Sequence, residues 1–199
     1  MKPALIAIDM HRGHLDPQVA TMPLPPEKAR ALIDRASTAF ERLRGLGIPI
    51  IHVVTSYRNP EEIASNPFWR ARAEDPSSTR REVLKHNMEG SPGTQIIPEL
   101  YRDTDYLVRG KKRYSCFLGT DLDLLLTWLK VDALLLAGVN TNSCVLATAC
   151  DACNRDYRVF VLSDLTDTMD GEERHKAALN LIATAFGWVV ESERLMEYL

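Results

Sequence analysis

Residues 133–144 read Ala133-Leu134-Leu135-Leu136-Ala137-Gly138-Val139-Asn140-Thr141-Asn142-Ser143-Cys144. The first seven are continuously apolar, the pattern of a strand buried on both faces rather than of one with a wet side. The run stops at a polar turn, and small residues continue at helical spacing as far as Cys153. A doubly buried strand feeding straight into a helix is the repeating unit of a parallel sheet covered on both faces.

The same alternation extends outward in both directions. Leu5–Ile8 reads as a first strand. Leu32, Ala36, Phe40 and Leu43 recur at helical spacing, and Gly45 and Gly47 end that helix. Ile48–Val54 is a second strand and Tyr106–Val108 a short third. Leu122, Leu125, Leu126 and Leu129 form the apolar face of another helix. After residue 153 come a strand at Val159–Leu162, a helix at Glu172–Phe186 with Gly187 placed as its C-cap, and a last strand at Trp188–Val190. The pattern predicts one α/β domain over residues 1–199, Rossmann-like, three layers α/β/α, with a mostly parallel six-stranded sheet. Such sheets carry their sites beyond the C-terminal ends of the strands. Asp9 follows the first strand, the Lys111 segment follows the third, and Asn140–Cys144 follow the fourth. Residues 55–104 interrupt the rhythm with Pro60, Pro67, Pro76, Pro92, Gly90 and Gly93. A stretch of that length is read as a binding loop or as a plain surface excursion.

Composition excludes several classes. The 199 residues are 45% hydrophobic and 26% charged with a net charge of -3, and no basic stripe suits nucleic acid. No apolar run approaches the roughly 18 residues of a membrane span. The chain opens on an apolar strand without the pattern of a secretory signal, so the expected location is the cytoplasm. Asp9-Met10-His11-Arg12-Gly13 after the first strand is not the glycine-rich turn of a dinucleotide enzyme. Of the four cysteines, Cys150 and Cys153 form a CxxC. No second pair completes a zinc site, and they read as small residues of an Ala-rich helix.

Cys144 sits near a helix start, where unpaired N–H groups and the helix dipole favour thiolate and suit an oxyanion. By itself such a Cys is more often a buried small residue. Asp9 reads as a catalytic carboxylate or a loop cap, and Lys111 as a catalytic cation or part of a solvated turn.

Together these segments resemble a known family, the isochorismatase-like cysteine hydrolases, which include nicotinamidases, N-carbamoylsarcosine amidases and ureidoacrylate and biuret amidohydrolases. The resembling motifs are Asp9-Met10-His11, then Lys111-Lys112-Arg113-Tyr114-Ser115-Cys116-Phe117, then Gly138-Val139-Asn140-Thr141-Asn142-Ser143-Cys144-Val145 running on to Thr148-Ala149. The resemblance implies a cysteine-dependent hydrolysis of a C–N amide or ureide bond through a thioester. In it Cys144 is the nucleophile, Asp9 the general base, and Lys111 a cation that lowers the thiol pKa and orients Asp9, with Lys112 as the alternative. Backbone N–H groups of Asn140 and Cys144 would form the oxyanion hole beside a cis peptide preceding Asn140. It also implies a homodimer or homotetramer and no cofactor.

Nicotinamidases carry a metal site after the second strand. Here that segment is His52-Val53-Val54-Thr55-Ser56-Tyr57-Arg58, with His52 inside the strand and no His partner after it, so no metal is expected. His11 and His14 are read as a polar pocket edge or as part of a turn. His11, Tyr57, Arg58, Phe68, Trp69 and Tyr114 are candidate substrate contacts, and Arg72, Arg80 and Arg81 are further cations suited to a polar or anionic ligand. Two rival readings are an isochorismatase-type vinyl ether hydrolase, which does not need the cysteine, and a non-catalytic interaction protein that keeps the fold.

Overall fold

The computed structural model describes residues 1–199. Six strands form one sheet: β1 (Pro3–Ile8), β2 (Ile50–Thr55), β3 (Tyr106–Lys111), β4 (Ala133–Val139), β5 (Arg158–Asp167) and β6 (Trp188–Val190). Their order across the sheet is β3-β2-β1-β4-β5-β6 and every pair is parallel. β1 and β4 are central and buried along almost their whole length, as their unbroken apolar runs require. Alternate residues serve opposite layers. Leu5 and Ala7 pack with Leu135 and Ala137 on one face, and Ala4, Ile6 and Ile8 with Leu134 and Leu136 on the other.

The first face is covered by α2 (Pro26–Gly45), which presents Leu32, Ala36, Phe40 and Leu43 to the sheet. The second face is covered by α5 (Leu122–Leu129), α6 (Leu146–Cys153) and α7 (Glu172–Ala185) through Leu122, Leu126, Ala149, Ala152 and Ile182. A short α1 (Arg12–Leu15) follows β1. No helix is long and apolar enough to cross a membrane.

Two glycines are required by close approach. Gly138 lies opposite Ile8 with φ +121°, and a Cβ there would stand 2.0 Å from the Ile8 carbonyl oxygen. Gly187 closes the helix end as expected, its amide donating to the Ile182 carbonyl over 3.1 Å, but without a positive φ. The helix before it ends at Ala185, and a Cβ on Gly187 would meet the Val159 carbonyl oxygen at 2.4 Å, so the residue lets β6 approach β5.

The stretch between β2 and β3 holds two short helices, α3 (Pro60–Ala64) and α4 (Pro67–Glu74), and several single helical turns. The prolines that read as breakers start these elements. Pro60 and Pro67 stand at first helical positions, where the missing N–H has no cost. Asn59 caps α3 by accepting from the Glu62 amide, and Asn66 caps α4 by accepting from the Phe68 and Trp69 amides. A small cluster of Met22, Tyr57, Ile63, Trp69 and Val83 gives the segment its own core.

Candidate active site

The C-terminal ends of β1, β2, β3 and β4 converge on one buried point. Asp9 leaves β1 in the left-handed region at φ +53°, which an Asp tolerates better than most residues, and its amide donates to the Val53 carbonyl over 2.9 Å. Thr55, the last residue of β2, donates to Asp9 Oδ1 from its amide over 3.1 Å and from its hydroxyl over 2.8 Å. Lys111 is the last residue of β3 rather than part of the following turn. Its Nζ lies 2.7 Å from Asp9 Oδ2, 2.8 Å from Thr55 Oγ1 and 3.4 Å from Cys144 Sγ. Lys112 turns away to the Ser56 carbonyl and Glu62.

Asp9, Lys111 and Cys144 are 0%, 1% and 6% exposed, so the pair of charges is kept only because each compensates the other. Burial raises the Asp9 carboxyl, but the Lys111 ammonium and the His11 imidazole outweigh it and hold it well below the usual carboxylate range. Burial lowers Lys111, and the negative charge of Asp9 more than reverses this. Cys144 goes the other way. Burial pushes its thiol up to about 12, with Lys111 only partly offsetting that because Asp9 beside it carries the opposite charge. The resting state is therefore a thiol next to an ion pair. This departs from the expectation of a thiolate lowered by its cation.

Cys144 also differs in its local backbone. It lies in a single π-helical turn, Thr141–Val145, that precedes α6, and not in the first turn of an α-helix. The peptide between Val139 and Asn140 is cis. The Asn140 amide has no intramolecular acceptor, while its side-chain oxygen accepts from the Met169 amide over 2.9 Å.

Above this floor opens a narrow cleft, with Tyr57, Trp69, Tyr114, Arg80, His86 and Met169 among its walls. Trp69 Nε1 donates to the Tyr114 hydroxyl over 2.9 Å, and Arg113 lies 5.1 Å from the Trp69 ring centre. Arg80 donates to both oxygens of Asp170 over 2.8 and 2.7 Å. Of the expected contacts, Tyr57, Trp69 and Tyr114 reach the cleft.

Three others lie away from the cleft. Phe68 is 59% exposed and opens on a separate polar groove with Arg72, because a one-residue step on α4 turns it about 100° from Trp69. The Arg58 side chain is 72% exposed and held by Glu62. His11 is fully buried behind Asp9, 3.6 Å from its Oδ1, and does not line the cleft. His52 lies within β2, bonded to Asp105 over 3.2 Å and packed edge-on to Phe40 and Tyr101, away from the cleft.

Thr55, Met22, Val83, His86, Ser143 and Met169 border the cleft without having been singled out. Thr55 had a usable signal, its place at the C-terminal end of a central strand. Met22, His86 and Met169 reach the site by long-range packing that leaves no local pattern.

The isochorismatase domain model matches residues 3–194. Ureidoacrylate amidohydrolase of Methylobacterium radiotolerans is 31% identical over 170 residues, covering 79% of this chain. The chain spans only 63% of that relative's length. Maleamate amidohydrolase of Pseudomonas putida is 28% identical over 198 residues, covering 100% of this chain and 87% of the relative. An isochorismatase-like hydrolase from Alkaliphilus metalliredigens superposes with a TM-score of 0.78 at 29% identity, covering 100% of this chain and 99% of that one. With a match over almost its full length and the same fold in a solved relative, the chain belongs to the isochorismatase family.

Proposed function

We propose that the chain is an amidohydrolase that cleaves a C–N amide or ureide bond of a small polar molecule through a thioester on Cys144. The observation that carries this reading is Lys111 Nζ standing 2.7 Å from Asp9 Oδ2 and 3.4 Å from Cys144 Sγ at the base of a cleft. Relatives named as amidohydrolases for ureidoacrylate and maleamate support it.

Because burial keeps the thiol protonated, proton removal has to accompany attack. Asp9 takes the Cys144 proton as the sulfur forms its bond to the substrate carbonyl carbon. The carbonyl oxygen gains the negative charge and is stabilised by the N–H groups of Asn140 and Cys144. The C–N bond then breaks and Asp9 returns the proton to the leaving nitrogen. Water, deprotonated by Asp9, adds to the thioester carbon. The C–S bond breaks, the acid leaves, and the proton passes back to sulfur. Lys111 keeps Asp9 ionised between steps and holds it in place.

Cys144→Ala is expected to lower kcat by about 10⁴-fold or more with an unchanged circular dichroism spectrum. Rapid quench of the wild type on a panel of carbamoyl amino acids, ureides, maleamate and simple carboxamides is expected to give a protein mass increased by one acyl group on Cys144. Wild-type turnover by the Ala variant would overturn the reading.

A further inference from the structure

Three buried imidazoles belong to no step above. His11, His14 and His86 are 0%, 4% and 2% exposed, and one ring nitrogen from each lies within 4.8 Å of the others. Their ring centres are 5.0, 4.6 and 5.6 Å apart. Two come from the β1–α1 turn and one from the segment between β2 and β3. We propose that His11, His14 and His86 form a binding site for one divalent transition-metal cation, of the class of Zn²⁺, with an open coordination position toward the cleft.

The hydrogen bonds around His14 and His86 favour ligation. His14 Nδ1 lies 2.7 Å from the Met22 carbonyl, which only accepts, so Nδ1 carries the proton and Nε2 keeps a free lone pair. His86 Nδ1 faces the Thr21 hydroxyl at 2.9 Å, and its Nε2 is buried with no hydrogen-bond partner. An orphan imidazole nitrogen aimed into a cluster of two more is an unsatisfied lone pair, and a cation satisfies it. A metal-bound His commonly has its second nitrogen fixed by a carbonyl, hydroxyl or carboxylate, as those of His14 and His86 are. His11 Nε2 accepts from Asn87 Nδ2 over 2.9 Å and sits 3.6 Å from Asp9 Oδ1, so ligation through that nitrogen exchanges the Asn87 bond for the metal while Asp9 supplies negative charge beside the site.

Three imidazole nitrogens suit Zn²⁺, Fe²⁺ or Co²⁺ and not Ca²⁺ or Mg²⁺. Bond lengths near 2.0–2.1 Å place tetrahedral donors about 3.3 Å apart, so the rings swing inward by roughly an ångström on binding. His14 and His86 also line the cleft, which leaves the remaining position facing it.

The test is direct binding, independent of turnover. Chelator-treated full-length chain is titrated with Zn²⁺ alone by calorimetry, then loaded with Co²⁺ and its visible spectrum recorded. One equivalent per chain and an intense tetrahedral Co²⁺ band are expected. His14→Gln and His86→Gln are each expected to weaken Zn²⁺ binding about 100-fold or more, and Thr21→Val about tenfold. Cys144→Ala and the distant His175→Gln are expected to bind as the wild type does. Substoichiometric uptake, affinity unchanged in both Gln variants, or affinity lost with Cys144 instead would overturn the proposal. If a Gln variant fails to fold, the wild-type Co²⁺ spectrum decides, because a weak octahedral spectrum also overturns it.

Discussion

The floor and the walls of the cleft are built on different physical terms. The floor is made of strand ends. Asp9, Thr55, Lys111 and the Asn140–Cys144 turn are placed by parallel neighbours in one sheet, and their side chains close a buried network of bonds between 2.7 and 3.4 Å. The walls come from capped short helices and turns, tied down by a few long-range contacts such as Arg80–Asp170 and Trp69–Tyr114. A floor set by sheet register has little freedom to vary, so it suits reaction chemistry. A wall held by separate clamps can be rebuilt one clamp at a time, so it suits the choice of substrate.

Lys111→Met tests the contrast most severely. It leaves Asp9 ionised and unpaired in the interior, which costs about 3–5 kcal/mol in a urea melt. It should also cost about 10³-fold or more in kcat/KM. A loss no greater than that of a wall variant would erase the distinction.

The protonation state of the floor gives the next test. With the thiol pushed up to about 12, alkylation of Cys144 by iodoacetamide should rise about a hundredfold between pH 7 and pH 9 without levelling. A plateau near neutrality, read by peptide mass spectrometry, would mean that Lys111 dominates burial and that the thiolate is formed in advance.

On the wall, Arg80→Gln removes the charge that holds Asp170. A cost of about 1–3 kcal/mol is expected, with KM raised several-fold and kcat nearly unchanged. A kcat effect as large as that of Lys111→Met would place Arg80 in the chemistry. Trp69→Phe is the mildest change. It loses the bond to Tyr114, about 0.5–1.5 kcal/mol, and should shift preference among substrates by only a few-fold.

The same division decided how much could be read from the sequence. Ala133–Val139 and Trp188–Val190 have the boundaries that their apolar runs suggest, and the central strands carry Asp9 and Cys144 to the end of the sheet where parallel topology puts sites. Lys111 was legible by its spacing within a motif, although it ends a strand instead of following one. The walls were less legible. Phe68 and Trp69 are adjacent and equally aromatic, yet only Trp69 faces inward, because the phase of α4 is set by the Asn66 cap and by packing on Tyr57 and Ile63. The three histidines were not legible as a group. His86 is more than seventy residues from His11 and His14, and nothing local to it marks its meeting with them. The expectation that no metal binds rested on residues 52–58, and the proposed site draws two ligands from the β1–α1 turn and one, His86, from farther along the stretch between β2 and β3.

Gly138 sets a tolerance for the whole site. Asp9 follows one strand and Cys144 the turn after its neighbour, and where those strands run side by side the only thing between their backbones is a missing methyl group. The spacing between carboxylate and sulfur is thus gauged by an empty place six residues before Cys144. Evolution can remodel the rim freely, but it cannot add a single carbon there without prising acid and thiol apart.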